Sequence, residues 1–140
     1  APQLLHGAVL GELSPLLEEE LCLIGPRPAR RKAPAVRLRE LPDFPLIIPS
    51  RPHAIRTLVE DRLAALALRP QVALEIDAIG AILELVAEGQ GYAVLSPRAV
   101  HSSDVGRKLV ARPIVQPSLR SSLAMAVRYI EPVWAPDSRR

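Results

Sequence analysis

The stretch PLIIPSRPHAIRTLVEDRLAALALRPQVALEIDAIGAILELVAEGQGYAVLSP, residues 45–97, decides the fold of this chain. It holds three short apolar runs, PLIIP (45–49), QVALEID (71–77) and GYAVL (91–95), and a segment with helical spacing of apolar residues follows each of the first two. Strands that alternate with helices of about a dozen residues indicate a parallel sheet with helices on its faces. The sequence therefore predicts a βαβαβ unit within an α/β fold.

Polar residues follow the first and third of these runs. Ser50, Arg51 and His53 come directly after the first run, and Ser96 follows the third. In open parallel sheets, ligands bind outside the carboxyl ends of the strands. A helix start with a hydroxyl and two potentially cationic side chains suits a carboxylate or a similar anion. The alternative is that Ser50 only caps the helix, while Arg51 and His53 are solvated.

The first helix is expected to begin near Pro52, with Ser50 or Arg51 as its cap, and to end at Arg69-Pro70. Apolar residues at spacings of three and four predict one buried stripe, formed by Ile55, Leu58, Val59, Leu63 and Leu66. Arg56, Glu60, Asp61 and Arg62 are expected on the other faces of this helix.

The second strand and the second helix follow the same logic. Val72, Leu74 and Ile76 are predicted to share the covered side of the strand, and Ala73 and Glu75 the less covered side. The helix is predicted over 78–88, with Gly89 as its C-terminal cap. Asp77, just before this helix, is expected to be a structural cap.

Shorter strand candidates flank this unit. We expect strands at 19–24, 108–115 and 122–127, and a proline-rich connector between Gly25 and Pro45 with at most a short turn. Gly25-Pro26 is expected to end the first of these strands.

The bulk composition excludes several classes of protein. The chain has 140 residues, of which 49% are hydrophobic and 24% charged, as in soluble globular domains. It has no apolar run of the roughly 18 residues that span a bilayer and no signal peptide, so we expect a cytoplasmic protein without membrane contact. The net charge is +3, but the basic residues are scattered and aromatic residues make up only 3%, which argues against nucleic-acid binding.

The sequence also argues against catalysis, a metal and a cofactor. Cys22, the single cysteine, lies in an apolar run and is expected to be a buried small hydrophobe. His6, His53 and His101 lack the spacing of metal ligands, and Gly89-Gln90-Gly91 precedes a strand instead of opening a helix. We therefore expect neither an enzyme nor a bound cofactor.

Several segments together resemble a known family. LRELPDFPLIIPS (38–50), RPQVALEID (69–77) and LVAEGQGYAVLSP (85–97) are similar to the effector-binding domain of LysR-type transcriptional regulators. SRPHAIR (50–56) further resembles the subgroup of nitrogen-assimilation-control regulators. The similarity covers residues 4–130.

The resemblance implies a fold like that of type 2 periplasmic binding proteins, with two α/β lobes joined by crossing strands. Residues 1–26 would be a remnant of the first lobe with the outgoing crossover strand, and 27–120 the second, Rossmann-like lobe with a parallel sheet. Residues 121–140 would be the returning strand and a truncated C-terminal segment. We therefore expect a fragment that contacts DNA only through an absent N-terminal helix-turn-helix domain.

The resemblance also implies a site between the lobes for a small-molecule effector, here expected to be anionic. The effector-binding residues it implies are Pro49, Ser50, Arg51, His53, Leu95 and Ser96, and the hinge residues are Gly25 and Pro26. It further implies a homo-oligomer. Two alternatives stay open: a solute-binding protein of a transport system, which shares the fold, and an enzyme built on the same fold.

Overall fold

The computed structural model describes residues 18–28 and 33–121. Contacts divide the chain into two units, one of residues 1–19 with 120–140 and one of residues 20–119. In the first unit the described residues include Glu18 and Arg120, whose Oε1 and Nη1 atoms lie 3.6 Å apart. The predicted strand at 122–127 and most of the predicted first-lobe remnant lie outside the described residues.

The helices and strands of the described residues follow one another in a mixed α/β order. They are β1 (Glu19–Glu20), β2 (Cys22–Pro26), β3 (Val36–Arg37), a 3₁₀ helix (Leu38–Asp43), β4 (Pro45–Ile48), α1 (Ala54–Ala64), β5 (Gln71–Glu75), α2 (Ile79–Ala87), β6 (Ala93–Leu95), α3 (Pro97–His101), a second 3₁₀ helix (Gly106–Lys108), β7 (Leu109–Val115) and β8 (Arg120–Ser121). β1 and β8 pair with each other as a short two-stranded sheet.

The predicted βαβαβ unit is confirmed, and its strands lie in the order β5-β4-β6. β4 pairs in parallel with β5, and it meets the start of β6 in parallel through Leu46 and Tyr92. The Ile47 N–H donates to Tyr92 O at 2.7 Å, and the Tyr92 N–H donates to Pro45 O at 2.9 Å. β2 is antiparallel to both β6 and β7, and β3 is parallel to β7, so the strands beyond the unit make the arrangement mixed.

The hydrophobic core has two layers, and β2 contributes to both. Its alternate residues face opposite sides, so Leu23 belongs to one layer while Cys22 and Ile24 belong to the other. α1 covers the first layer with Val59 and Leu63. α2 covers the second with Ile82, Leu83 and Val86. The predicted burial of Cys22 is confirmed, because this residue is 5% exposed.

The first helix is shorter than its predicted extent. It begins at Ala54 with His53 as its N-cap, and it ends at Ala64, so the predictions of a Ser50 or Arg51 cap and of an end at Arg69 are wrong. Leu66, predicted in the buried stripe, is 40% exposed. The chain leaves the helix in a turn in which the Leu68 N–H donates to Leu63 O, and Leu68 packs against the core instead.

The second strand is exposed on both faces, contrary to the prediction that one face is covered. Val72 and Leu74 are 37% and 42% exposed. Among the described strands β5 pairs with β4 alone, so it is an edge strand. The register shifts between Leu46 and Ile47 of β4, because β5 has one extra residue there, Ala73, which has no partner on β4.

Of two predictions that concern glycines, the one at Gly25 is wrong and the one at Gly89 is confirmed. β2 continues through Gly25 and Pro26 instead of stopping before them, since these residues pair with Val110 and Leu109 on β7. The pairing of β2 with β6 ends at Ile24. Pro26 therefore lies where β2 has no described partner on that side, and such an edge position tolerates a proline. The predicted cap at Gly89 is confirmed: its φ is +82°, and its N–H donates to Val86 O at 2.9 Å. The short strand β3 and the helix α3 were not predicted.

Gly25 and Gly80 form a matched pair for testing the packing around β2. A Cβ on Gly25 would lie 2.8 Å from Cε2 of Tyr92, whereas a Cβ on Gly80 meets no described atom within 4 Å. We expect Gly25→Ala to lower the free energy of unfolding by about 1–3 kcal/mol because the Tyr92 ring must move. Gly80→Ala, within α2, should raise it by up to about 1 kcal/mol. Urea denaturation measures both, and equal effects of the two variants would contradict this packing.

Candidate functional site

The carboxyl ends of β4, β5 and β6 meet at one edge of the sheet because these three strands are parallel. We call this the β4–β6 edge, and it comprises Pro49–His53 after β4, Asp77 after β5, and Leu95 with Ser96 at the end of β6. The chain leaves β4 toward α1 on one face and β5 toward α2 on the other. In open α/β sheets, ligands bind outside the carboxyl ends of the strands at such a reversal of strand order.

Ser50 is engaged by a carboxylate of the chain itself. Its backbone N–H and its Oγ both donate to Oδ1 of Asp77, at 2.9 and 2.8 Å. The backbone hydrogen bond from Ser50 lowers the pKa of Asp77, and the hydroxyl hydrogen bond lowers it further. Asp77 is not the N-cap of α2, a position taken by Ala78. The prediction that Asp77 caps this helix is therefore wrong, and Asp77 instead joins the end of β5 to the end of β4.

Arg51 lies at the surface and forms an ion pair with α1. Its Nη2 is 2.8 Å from Oε2 of Glu60, and its side chain is 68% exposed. The hydrogen bond from Arg51 is the largest cause of a lowered pKa of Glu60, and a second one from Arg56 adds to it. The guanidinium of Arg51 is therefore tied to Glu60 within the described structure, in a pair that is largely in water.

Arg56 is the buried charge of this region. It is 4% exposed, contrary to the prediction that it lies on an outer face of α1. Its Nε donates to Glu60 Oε2 at 3.0 Å, and its Nη1 donates to Pro49 O at 3.2 Å and to Glu75 Oε2. One guanidinium therefore holds α1 to the ends of both β4 and β5, where Ser50 and Asp77 follow.

His53 caps the N-terminus of α1 with its side chain. Its Nδ1 accepts a hydrogen bond from the Ile55 N–H at 3.1 Å, which makes it the N-cap of α1. This nitrogen must be unprotonated to accept, so the geometry assigns the proton of the neutral ring to Nε2.

The other predicted residues fall into three places. Pro49 and Leu95 are buried, and Leu95 packs in the core layer under α2, so its side chain is turned away from the edge. Ser96 is half-buried and begins α3, and its side chain makes no capping hydrogen bond to the described helix. Gly25 and Pro26, predicted at the hinge, end β2 beyond the start of β6, at the opposite edge of the sheet.

Each guanidinium group at the β4–β6 edge has at least one carboxylate partner. Three carboxylates, of Glu60, Glu75 and Asp77, accompany the guanidinium groups of Arg51 and Arg56. The arrangement therefore favours exchange of one acceptor for another at Ser50, where two donors face a carboxylate, over simple attraction of an anion by free cations.

Sequence reasoning missed Arg56, Glu75 and the partnership of Ser50 with Asp77. For Arg56 a signal was available, because it stands three and seven residues before Val59 and Leu63 and so shares their buried stripe. The Ser50–Asp77 contact joins residues 27 positions apart and depends on the pairing of β4 with β5.

The described residues contain neither a cluster of potential metal ligands nor a membrane-spanning helix. In 18–28 and 33–121, no group of three or more His, Cys, Asp or Glu side chains is placed to hold a metal ion. No helix in the same residues is both long and apolar enough to cross a membrane.

Comparison with known proteins identifies a family and several proteins to which most of this chain is similar. Residues 11–131 match the profile of the LysR substrate binding domain. The HTH-type transcriptional regulator BbuR of Bordetella bronchiseptica is 29% identical over 115 residues, which cover 81% of this chain and 35% of that protein. The chain thus spans about a third of the length of this curated relative.

Two solved structures share the fold. The regulatory domain of CcmR from Synechocystis PCC6803, in complex with 2-PG, has a TM-score of 0.62 at 18% identity and covers 88% of this chain and 65% of that chain. The PA01 protein, a LysR family regulator from Pseudomonas aeruginosa, has a TM-score of 0.61 at 26% identity. That match covers 75% of this chain and 37% of the other. The predicted type 2 periplasmic-binding-protein-like fold is confirmed.

Removal of Arg56 should destabilise the protein. We expect Arg56→Ala to lower the free energy of unfolding by roughly 2 kcal/mol, because Pro49 O and the carboxylate of Glu75, which is 49% exposed, lose a buried donor. Arg62→Ala is the control on the same helix, and since Arg62 is exposed its effect should stay within about 0.5 kcal/mol. Urea denaturation of both variants tests this, and equal stability of the two would refute the role of Arg56.

The Ser50–Asp77 contact should show itself in the pH dependence of stability. A carboxyl whose pKa is lower in the folded than in the unfolded state stabilises the fold above its unfolded pKa, and this contribution disappears as the pH falls through the folded pKa. Ser50→Ala removes one donor, so it should raise the pKa of Asp77 and destabilise the protein at pH 7 but not at strongly acid pH. Carboxyl NMR titration of Asp77 gives the shift directly, and an unchanged pKa would contradict the contact.

Proposed function

This chain belongs to the family of LysR substrate-binding domains, and we propose that it senses a small anionic effector for a LysR-type transcriptional regulator. The match of 121 consecutive positions, residues 11–131, supports this assignment. The regulator name of the Bordetella relative supports a role in transcription over the alternative of a transport protein. That relative also supports a regulator over an enzyme.

One observation carries the ligand class. Both donors of Ser50 already bind a carboxylate oxygen, that of Asp77, at hydrogen-bond distances of 2.9 and 2.8 Å. Asp77 is exposed, so it gains little from burial and can be exchanged for another acceptor in water. An effector carboxylate would take its place at the same two donors. The 2-PG complex of the CcmR regulatory domain supports a small ligand for this fold.

The proposed response follows from what Asp77 connects. While bound to Ser50, it ties the end of β5 to the end of β4, beside the Arg56 network. An effector that replaces Asp77 would release this tie and favour a second arrangement of the β4–β6 edge. A ligand shifts such an equilibrium only by its difference in affinity for the two states. Arg51, His53 and Ser96 are proposed to line the same pocket.

Several properties of the whole regulator belong to the same proposal. We propose that DNA is bound by a helix-turn-helix domain outside this chain and that the regulator is a cytoplasmic homo-oligomer. The lobe assignments at 1–26, 27–120 and 121–140, with Gly25 and Pro26 at the hinge, are part of it. Membership of the nitrogen-assimilation-control subgroup rests on SRPHAIR (50–56).

A thermal-shift screen of the regulator against small carboxylates and sulfonates tests the proposal. A ligand at about 100 times its dissociation constant should stabilise the protein by roughly 2.7 kcal/mol. For the best ligand, Ser50→Ala should weaken binding and Asp77→Ala should strengthen it, because the competing carboxylate is gone. Absence of any stabilising ligand would contradict the function.

Asp43→Ala is the control for this experiment. It removes an exposed carboxylate at the end of the first 3₁₀ helix, away from the carboxyl ends of the three parallel strands. Its affinity for the ligand should equal that of the unmodified protein. If Asp77→Ala and Asp43→Ala bind the ligand equally well, Asp77 does not compete for its site.

A further inference from the structure

A cavity of about 360 Å³ lies at the opposite edge of the sheet from Ser50. Gly25 and Pro26, the last residues of β2, line it. They follow Ile24, which pairs with Ala93 at the start of β6. Tyr92, directly before β6, lines it as well. The volume falls in the lower range of small-molecule sites in proteins. We call it the proline-lined cavity, because Pro26, Pro28 and Pro34 form part of its wall.

Two arginines line this cavity, and each is fixed by a backbone carbonyl. Nε of Arg27 donates to Arg107 O at 2.8 Å, and Nε of Arg112 donates to Pro34 O at 2.8 Å. Neither contact uses the terminal nitrogens. Within residues 18–28 and 33–121, the Nη groups of both arginines have no hydrogen-bond acceptor. The guanidinium groups are thus held in place through Nε, with their Nη groups available to a ligand.

Strand register places both arginines on one face of the sheet. Leu23 pairs with Arg112 and Gly25 pairs with Val110. Because side chains alternate along a strand, Arg27, two residues after Gly25, projects to the same side as Val110 and Arg112. Both positive charges therefore belong to one concave surface.

Tyr92 is the aromatic residue in the described lining of the cavity, and Phe44, outside that lining, contacts both Tyr92 and Arg112. The Arg112 guanidinium lies 5.6 Å from the centre of the Phe44 ring, and the Phe44 ring packs edge-on against Tyr92 with centroids 5.1 Å apart. Gly25 lacks the Cβ that would collide with Tyr92, so backbone and ring lie against each other at this position.

Glu40, a carboxylate close to Arg112, is hydrogen-bonded to Arg37. The described lining residues of the cavity include no Asp or Glu. Glu40 is near enough for the charge of Arg112 to help lower its pKa, but hydrogen bonds to Arg37 are the larger cause. Its two carboxylate oxygens accept from the N–H and from Nη2 of Arg37. The cavity thus holds two fixed cations without an acidic partner in its described wall.

We propose that the proline-lined cavity is a second binding site, for a small flat organic acid with two carboxylate groups. Each carboxylate binds the Nη groups of one arginine, in the forked geometry that guanidinium and carboxylate share. The apolar body of the acid lies against Tyr92, Val110 and the prolines. This site is separate from the one proposed at Ser50.

NMR titration of the chain with phthalate tests the proposal. Phthalate carries two carboxylates on one aromatic ring, and dimethyl phthalate has the same body without charge. Phthalate should shift the Nε–Hε signals of Arg27 and Arg112 and the backbone amides of Gly25 and Val110, and dimethyl phthalate should leave them unchanged. If phthalate leaves these signals in place, or if the diester moves them equally, the proposal is wrong.

Charge-removing variants complete the test. Arg27→Gln and Arg112→Gln should each raise the dissociation constant of phthalate at this site by about tenfold or more. Arg69→Gln, which removes an exposed arginine after α1, should leave it unchanged. The Arg27 variant is decisive because that side chain is exposed and its loss spares the core. An Arg27 variant that binds phthalate as tightly as the Arg69 variant overturns the proposal.

Discussion

The unit of residues 20–119 is organised around β2, a strand with hydrogen-bonded neighbours on both sides. β6 flanks its first three residues, and β7 flanks all five. Its side chains alternate between the two core layers, so each layer includes residues of this strand. The helices must then lie on opposite faces, α1 over one layer and α2 over the other. Because both helices start from the carboxyl ends of parallel strands, their first residues come to the same edge, and the candidate effector site is a consequence of how the core is divided.

At that edge a carboxylate of the chain itself occupies the donors that are proposed to bind the effector. Asp77 holds the two donors of Ser50 while Arg56, out of the solvent, keeps the ends of β4 and β5 together. Under the proposed function these contacts have two roles: Arg56 holds the ends of β4 and β5 together, and Ser50 supplies the donors that an effector would use. The proline-lined cavity lies where β2 ends and is lined by different residues, among them Arg27 and Arg112. The two proposed sites therefore share no donor.

Local sequence patterns predicted the positions of the helices and strands better than they predicted which side chains are buried. The strands of the βαβαβ unit, the helix α2 and the glycine cap at Gly89 follow from spacing and turn chemistry, and the structure confirms them. The exposure of Val72 and Leu74 could not be foreseen, because it depends on β5 lying at an edge of the sheet. The helix cap at His53 was missed because Ser50, the better capping residue by type, is occupied by a carboxylate distant in sequence. The burial of Arg56 was missed because charged side chains are usually exposed.

The burial of Arg56 also bears on how this domain can diverge. Its guanidinium meets partners on a helix, at a strand end and on a neighbouring strand, and the single ammonium group of a lysine could not reach all three. Ser50 and Asp77, by contrast, are side chains near the surface whose replacement leaves the core layers intact. Under the proposed function, a change of ligand during evolution is therefore expected to alter positions 50 and 77 and to retain Arg56, which holds the strand ends in place.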